Sequence, residues 1–215
     1  MKYRAVVFDM DGTILDTLED MRRSVNAALA AEGFPPRTLD EVRRFVGNGN
    51  RRLVERAVPA GTGPDAVERV FHGFHAHYRV HCADHIRIYP GILELLRRLR
   101  AAGVRTAVVS NKADYAVQAL ADECFPGLFD AAAGEKDGVR RKPAPDGVLA
   151  VLAALGVPPS EAVYVGDSEV DIETARNAGL PCISVTWGFR PEAYLIGQGA
   201  ERTAGTADEL AALLF

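Results

Sequence analysis

Residues 3–17 read Tyr3-Arg4-Ala5-Val6-Val7-Phe8-Asp9-Met10-Asp11-Gly12-Thr13-Ile14-Leu15-Asp16-Thr17. The run from Tyr3 to Phe8 is short, apolar and rich in β-branched residues, as in a strand buried on both faces of a parallel sheet. It stops at two aspartates one residue apart, followed by a glycine, so charge begins where the strand ends. Similar runs stand at 104–109, 162–165 and 182–186, with a weaker one at 129–132. Helical patterns lie between them at 92–100, 113–122, 146–155 and 168–178, and Gly103 and Gly179 suit helix C-caps. Strands alternating with helices predict an α/β fold with a doubly wound, Rossmann-like parallel sheet.

Residues 17–85 break that rhythm. They contain helical stretches at 17–32, 39–46, 51–58 and 64–83, separated by glycine- and proline-rich turns, and no convincing strand. The predicted organisation is therefore an α/β core of residues 1–16 and 86–215 with an inserted all-helical cap domain of residues 17–85.

Composition excludes several classes. The 215 residues are 48% hydrophobic and 25% charged, which suits a globular chain and not a disordered or fibrous one. The net charge of −4 argues against nucleic acid or an anionic membrane as a partner. The longest stretch free of charged residues, 147–160, falls short of the roughly 18 residues a membrane span needs. The four apolar residues before Asp9 are too few for a signal peptide. Cys82, Cys124 and Cys182 are odd in number and widely spaced, which predicts free thiols in a reducing compartment and a cytoplasmic protein.

Ligands in open α/β sheets bind beyond the carboxyl ends of the strands. Here those ends carry Asp9 and Asp11, then Ser110-Asn111-Lys112, then Gly166-Asp167-Ser168 with Asp171. Lys142 stands in a loop ahead of the 146–155 helix. Each alone also reads as a turn residue, an N-cap or a solvated charge. All four groups in this order at successive strand ends point to one site.

Together these motifs resemble the haloacid dehalogenase superfamily, in its branch of phosphatases with a helical cap after the first strand. Asp9-Met-Asp11-Gly-Thr13 matches the first motif, Ser110 the second, Lys142-Pro143 the third and Gly166-Asp167-Ser168-x-x-Asp171 the fourth. The resemblance implies phosphate-ester hydrolysis through an aspartyl-phosphate. It implies Asp9 as nucleophile, Asp11 as general acid and base, and Ser110, Asn111, Lys142 and Thr13 as phosphate-binding groups. It further implies Mg2+ held by the Asp9 carboxylate, the Asp11 carbonyl and Asp167. Asp171, one helical turn after Asp167, would orient metal-bound water or Lys142. Charge arithmetic supports the cation: four aspartates meet Lys142 as the one evident positive group, and a phosphate dianion would not approach that rim unaided. The dehalogenases that name the superfamily lack the second aspartate and need no metal.

Phe45-Val-Gly47-Asn48-Gly49-Asn50-Arg51 resembles the cap loop of phosphoglycolate phosphatases, although the two glycines also suit a plain interhelical turn. The resemblance makes a small phosphorylated metabolite, best 2-phosphoglycolate, the expected substrate, with Asn48, Asn50 and Arg51 as contacts for its second anionic end. A broad-specificity sugar-phosphate or nucleotide phosphatase is the alternative. A β-phosphoglucomutase-like enzyme is disfavoured by Met21, which stands where that enzyme carries a histidine. A Schiff-base hydrolase is excluded by the absence of lysine from 17–85. A phospho-accepting signalling or scaffold domain fits poorly, because receiver domains are shorter and lack the insert. All five histidines fall within 72–85. His77, His81 and His85 repeat at i, i+4, i+8, which reads as a half-exposed helix face or as metal-chelating pairs. The expected oligomeric state is a monomer or weak homodimer.

Overall fold

A computed structural model describes residues 2–215; Met1, at the start of the expected core segment, lies outside the described residues. In chain order the elements are β1 (Ala5–Phe8), β2 (Leu15–Asp16), α1 (Leu18–Ala31), α2 (Leu39–Phe45), α3 (Gly49–Ala57), α4 (Pro64–His81), β3 (Arg87–Ile88) and α5 (Ile92–Ala101). There follow β4 (Arg105–Ala113), α6 (Asp114–Cys124), β5 (Ala131–Glu135), α7 (Asp146–Leu155), β6 (Ala162–Gly166), α8 (Glu169–Ala178), β7 (Cys182–Val185), α9 (Glu192–Gly197), β8 (Thr203–Ala204) and α10 (Ala207–Leu214). Six strands form one sheet in the order β5-β4-β1-β6-β7-β8, every pairing parallel. This is the doubly wound α/β sheet expected.

The order follows from composition. β1, central and wholly buried, pairs Val7 with Ala107 on one side and with Tyr164 on the other. A strand covered on both faces must be apolar throughout, and Ala5–Phe8 is. One face packs Ala5, Val7, Ala107, Val109, Ala162 and Tyr164 against Val148, Val151 and Leu152 of α7 and Ala175 and Ala178 of α8. On the opposite face Phe8 meets Phe129 edge-on, and Phe129 meets Phe125. Each such fully buried aliphatic or aromatic side chain contributes about 1.5–3 kcal/mol of transfer free energy. α7 and α8 end at Gly156 (φ 66°) and Gly179 (φ 73°), left-handed positions where glycine carries no penalty.

The chain divides into two compact units, Met1–Leu15 with Ile88–Phe215, and Asp16–Arg87. The second unit holds α1 to α4. Phe74 and Tyr78 of α4 stack at 5.1 Å and are buried with Val25 and Leu29 of α1. A Thr38–Glu41 capping box starts α2. α4 stops at His81, so His77, His81 and His85 do not share one helix face. His77 Nδ1 instead meets Ser24 Oγ at 3.0 Å, His81 pairs with Asp84 at 2.8 Å, and the buried Asp20 takes both the backbone N–H and Nδ1 of His85. Among the described residues no helix is long and apolar enough to cross a membrane.

Candidate active site

Three neighbouring strands of the sheet, β4, β1 and β6, deliver their polar residues at their carboxyl ends. Asp9 follows β1, and its N–H donates to Val165 O at 2.8 Å, so the aspartate is held by sheet pairing. The chain then turns: the N–H groups of Ile14 and Leu15 both donate to Met10 O, and Gly12 adopts φ 89°. A Cβ at Gly12 or at Gly188 would run into the Asp167 carboxylate, so only glycine lets these backbones close around it.

Lys142 is the centre of the site. Its ammonium donates to Asp9 Oδ1 at 2.7 Å, to Asp171 Oδ1 at 2.7 Å and to the Tyr164 hydroxyl at 2.9 Å, with only 5% of its side chain exposed. Those three bonds use all three ammonium protons. Asp171 is bonded on both oxygens: Oδ1 takes Lys142, and Oδ2 takes the N–H of Asp167 at 3.2 Å, the N–H of Ser168 at 3.1 Å and Ser168 Oγ at 2.6 Å. The same contacts make a capping box at the start of α8, so local helix chemistry fixes a charged residue of the site. Asp167 Oδ2 accepts the Phe189 N–H at 2.6 Å, and its Oδ1 lies 3.4 Å from Thr13 Oγ1. Asn111 Nδ2 donates to Lys142 O at 3.0 Å and so ties the β4 end to the lysine loop.

A second buried ammonium completes the cluster. Lys112 Nζ donates to Asp11 Oδ1 at 2.9 Å with its side chain 1% exposed, and its N–H donates to Ser110 Oγ at 3.2 Å. The expectation of Lys142 as the one evident cation is corrected here: four carboxylates face two ammonium groups, not one. The signal lay in strand alternation, since residues 110 and 112 of one strand point to the same side. Tyr164 was also overlooked; inside an apolar run its hydroxyl gave no sign of the ammonium it would meet.

The electrostatics follow from burial. Desolvation raises the Asp9 carboxyl to about 7; Lys142 pulls it down, while Asp171 and Asp11 add repulsion. Asp167 is pushed well above the usual carboxylate range by burial, then by the charges of Asp171 and Asp9, partly offset by the Phe189 N–H and Arg190. Burial alone would lower the proton affinity of Lys142, but Asp171, Asp9 and Tyr164 more than reverse it, so it stays charged.

One carboxylate oxygen from each of Asp9, Asp167 and Asp171 lies within 4.8 Å of the others. The donor set is all oxygen and carries excess negative charge, which suits a hard divalent cation. Within it Asp171 is already saturated by its own hydrogen bonds, while Asp9 Oδ2 accepts no hydrogen bond among the described residues. Asp9 and Asp167 are thus the available carboxylates.

Asn48, Asn50 and Arg51 belong to the helical unit. Asn48 Oδ1 accepts from Arg56 at 2.9 Å. Arg51 makes a bidentate pair with Glu68 at 2.8 and 3.0 Å and lies 4.4 Å over the Phe71 ring, so its charge is already matched within that unit. Asn50 is half-buried in the first turn of α3.

Residues 3–179 match the family model described as haloacid dehalogenase-like hydrolase. A curated relative from Cereibacter sphaeroides, named phosphoglycolate phosphatase, is 42% identical over 189 residues, covering 86% of each chain. Another of that name, from Caulobacter vibrioides, is 37% identical over 191 residues, covering 87% of this chain and 81% of its own. Among solved structures, a protein of Lactobacillus delbrueckii subsp. bulgaricus, provisionally named phosphoglycolate phosphatase, superposes with a TM-score of 0.96. It is 40% identical, over all of this chain and 99% of its own.

Proposed function

The chain belongs to the haloacid dehalogenase-like hydrolases, and on that premise we propose that it is a Mg2+-dependent phosphomonoesterase acting on 2-phosphoglycolate. The observation that carries this reading is the pair Asp9 and Asp11, each held by its own buried lysine. The Asp9 carboxylate attacks phosphorus in line, forming an aspartyl-phosphate as the ester oxygen departs. Asp11 gives that oxygen a proton, then takes one from the water that cleaves the intermediate and releases phosphate. Ser110, the Asn111 backbone and Thr13 receive the equatorial oxygens, where charge spreads in the transition state, and Lys142 sets its positive charge beside them. The Asp9 carboxylate, the Asp11 carbonyl and Asp167 would hold Mg2+, which when bound neutralises the carboxylates and polarises the phosphoryl group. Asp171 positions Lys142 and the backbone of Asp167. The accompanying domain division is a catalytic core of residues 1–16 and 86–215 with a helical cap of 17–85. A reducing, cytoplasmic setting belongs to the same reading, supported by the three cysteines Cys82, Cys124 and Cys182, none of which is in a disulfide.

The substrate is tested by steady-state phosphate release from 2-phosphoglycolate beside sugar phosphates, nucleoside monophosphates and an aryl phosphate. The expected result is a kcat/KM for phosphoglycolate at least about a hundredfold above the rest, roughly 2.7 kcal/mol of differential transition-state binding. A flat profile keeps the chemistry and discards the substrate.

Metal binding is expected to release protons. Because the Asp9 carboxyl is raised to about 7, it holds a proton below that pH and must lose it to ligate a cation. Affinity for Mg2+ therefore falls as pH drops through about 7, approaching tenfold per pH unit for each proton displaced. Calorimetry in two buffers of different ionisation enthalpy counts the protons. A pH-independent affinity between 5.5 and 8 would contradict the raised value.

A further inference from the structure

His77 and His81 stand four residues apart on α4, so their side chains rise from one face of the helix. Their rings lie 4.3 Å apart, centroid to centroid, tilted by 35°. Two imidazoles bound to one cation at about 2.0–2.1 Å hold their ring centres on the order of 5 Å apart, so a small rotation of either ring brings both into range. His77-Tyr-Arg-Val-His81 thus offers a divalent cation two nitrogens at the spacing by which helical histidine pairs hold zinc.

The Nδ1 atoms of both rings are already engaged. His81 Nδ1 lies 2.8 Å from Asp84 Oδ2. A carboxylate only accepts, so in the neutral ring Nδ1 carries the proton and Nε2 keeps its lone pair. His77 Nδ1 lies 3.0 Å from the hydroxyl of Ser24, which is buried in α1 and, as acceptor, fixes the same tautomer. Burial, and then the charge of His81, lowers the proton affinity of His77, so at neutral pH it is the uncharged imidazole a metal requires. Nε2 of neither ring has a hydrogen-bond partner among the described residues. A histidine whose Nδ1–H is held by an oxygen and whose Nε2 is bare is oriented as a ligand before the metal arrives. His72, by contrast, approaches Glu68 at 4.0 Å and packs against Phe71.

We infer that His77 and His81 form a second metal site, within the helical unit, which binds a borderline divalent transition cation such as Zn2+ through their two Nε2 atoms, with water completing the coordination. Its preference is opposite to that of the carboxylate cluster: imidazole nitrogen suits zinc, nickel and copper, whereas an all-oxygen set suits Mg2+. The His81 side chain is 44% exposed, so the cation and its waters have access. The two rings are braced by Ser24 of α1 and by Asp84 beyond the end of α4, so the bound cation fastens three segments of the helical unit together.

The test titrates the wild-type chain, saturated with Mg2+, with Zn2+ and follows the imidazole rings by long-range proton–nitrogen correlation spectra. The Nε2 resonances of His77 and His81 are expected to shift together and to saturate at a single equivalent, while those of His72 stay in place. Resonances of His77 and His81 that do not move, or that move independently of each other, would overturn the inference. Calorimetry in parallel compares the wild type with the double variant His77→Gln, His81→Gln. The variant is expected to bind one equivalent of Zn2+ fewer, and equal stoichiometry would overturn the inference by itself. Zn2+ taken up by the carboxylate cluster moves neither ring and is common to both chains. Neither readout involves phosphate release, so the outcome stands apart from the phosphatase reading.

Discussion

Asp9→Asn is expected to abolish phosphate release and, in the same molecule, to raise the melting temperature of the metal-free chain. The first effect follows from the role of the carboxylate: an amide oxygen is no nucleophile toward phosphorus, so turnover falls by at least about 1,000-fold with the fold intact. The second follows from charge. Burial and the neighbouring Asp171 and Asp11 raise the folded carboxyl from 3.8 to about 7. Between those values the folded chain holds a proton that the unfolded chain has lost, so stability declines as pH rises through this window and stays low above about 7. The amide carries no charge, so the gain in melting temperature should be present at pH 8 and shrink toward pH 5. Phosphate release and thermal melts at both pH values check the pair of effects. A variant destabilised at pH 8 would contradict the electrostatic account, and residual multiple turnover would contradict the assignment of the nucleophile.

Lys142→Met is expected to lose both activity and stability. Methionine nearly matches the volume of lysine but leaves Asp9, Asp171 and the Tyr164 hydroxyl without their shared donor. Stranding buried carboxylates in this way costs about 3–5 kcal/mol, which at roughly 2–4 °C per kcal/mol for a chain of this size lowers the melting temperature by about 10 °C. Phosphate release should fall at least about 1,000-fold, since both the orientation of Asp9 and the compensation of phosphoryl charge are lost. Lys142→Arg should recover little: three acceptors converge on one compact ammonium, a geometry the planar guanidinium fork does not reproduce. Circular-dichroism melts with phosphate-release assays decide it. A folded, active Lys142→Met would refute the central place given to this residue.

Much of this was legible in the sequence, for a physical reason. Strands covered on both faces must be apolar throughout, so β1, β6 and β7 stand out as continuous runs. The apolar run of β4 ends at Val109, whereas the strand continues through the polar Ser110-Asn111-Lys112 to Ala113. β2, β3 and β8, at two residues each, have no periodicity to read. The aspartates and Lys142 were legible because charge immediately after an apolar strand is conspicuous. Lys112 stands inside a legible motif, but its contact with Asp11, 101 residues earlier, is not encoded in the spacing. The pairing of Arg51 with Glu68 joins two helices whose spacing no single-helix pattern encodes.

The strand order sets a schedule for the ribosome. β1 is made first, yet both its neighbours come late: β4 begins at Arg105 and β6 at Ala162. Asp9 is translated 133 residues before the lysine that neutralises it. At roughly 5–20 residues per second, the nascent chain carries an unpaired apolar strand for on the order of ten seconds. For that interval Ala5–Phe8 is a sticky segment, and chaperone holding or slow synthesis at low temperature should decide how much of the protein is recovered in soluble form.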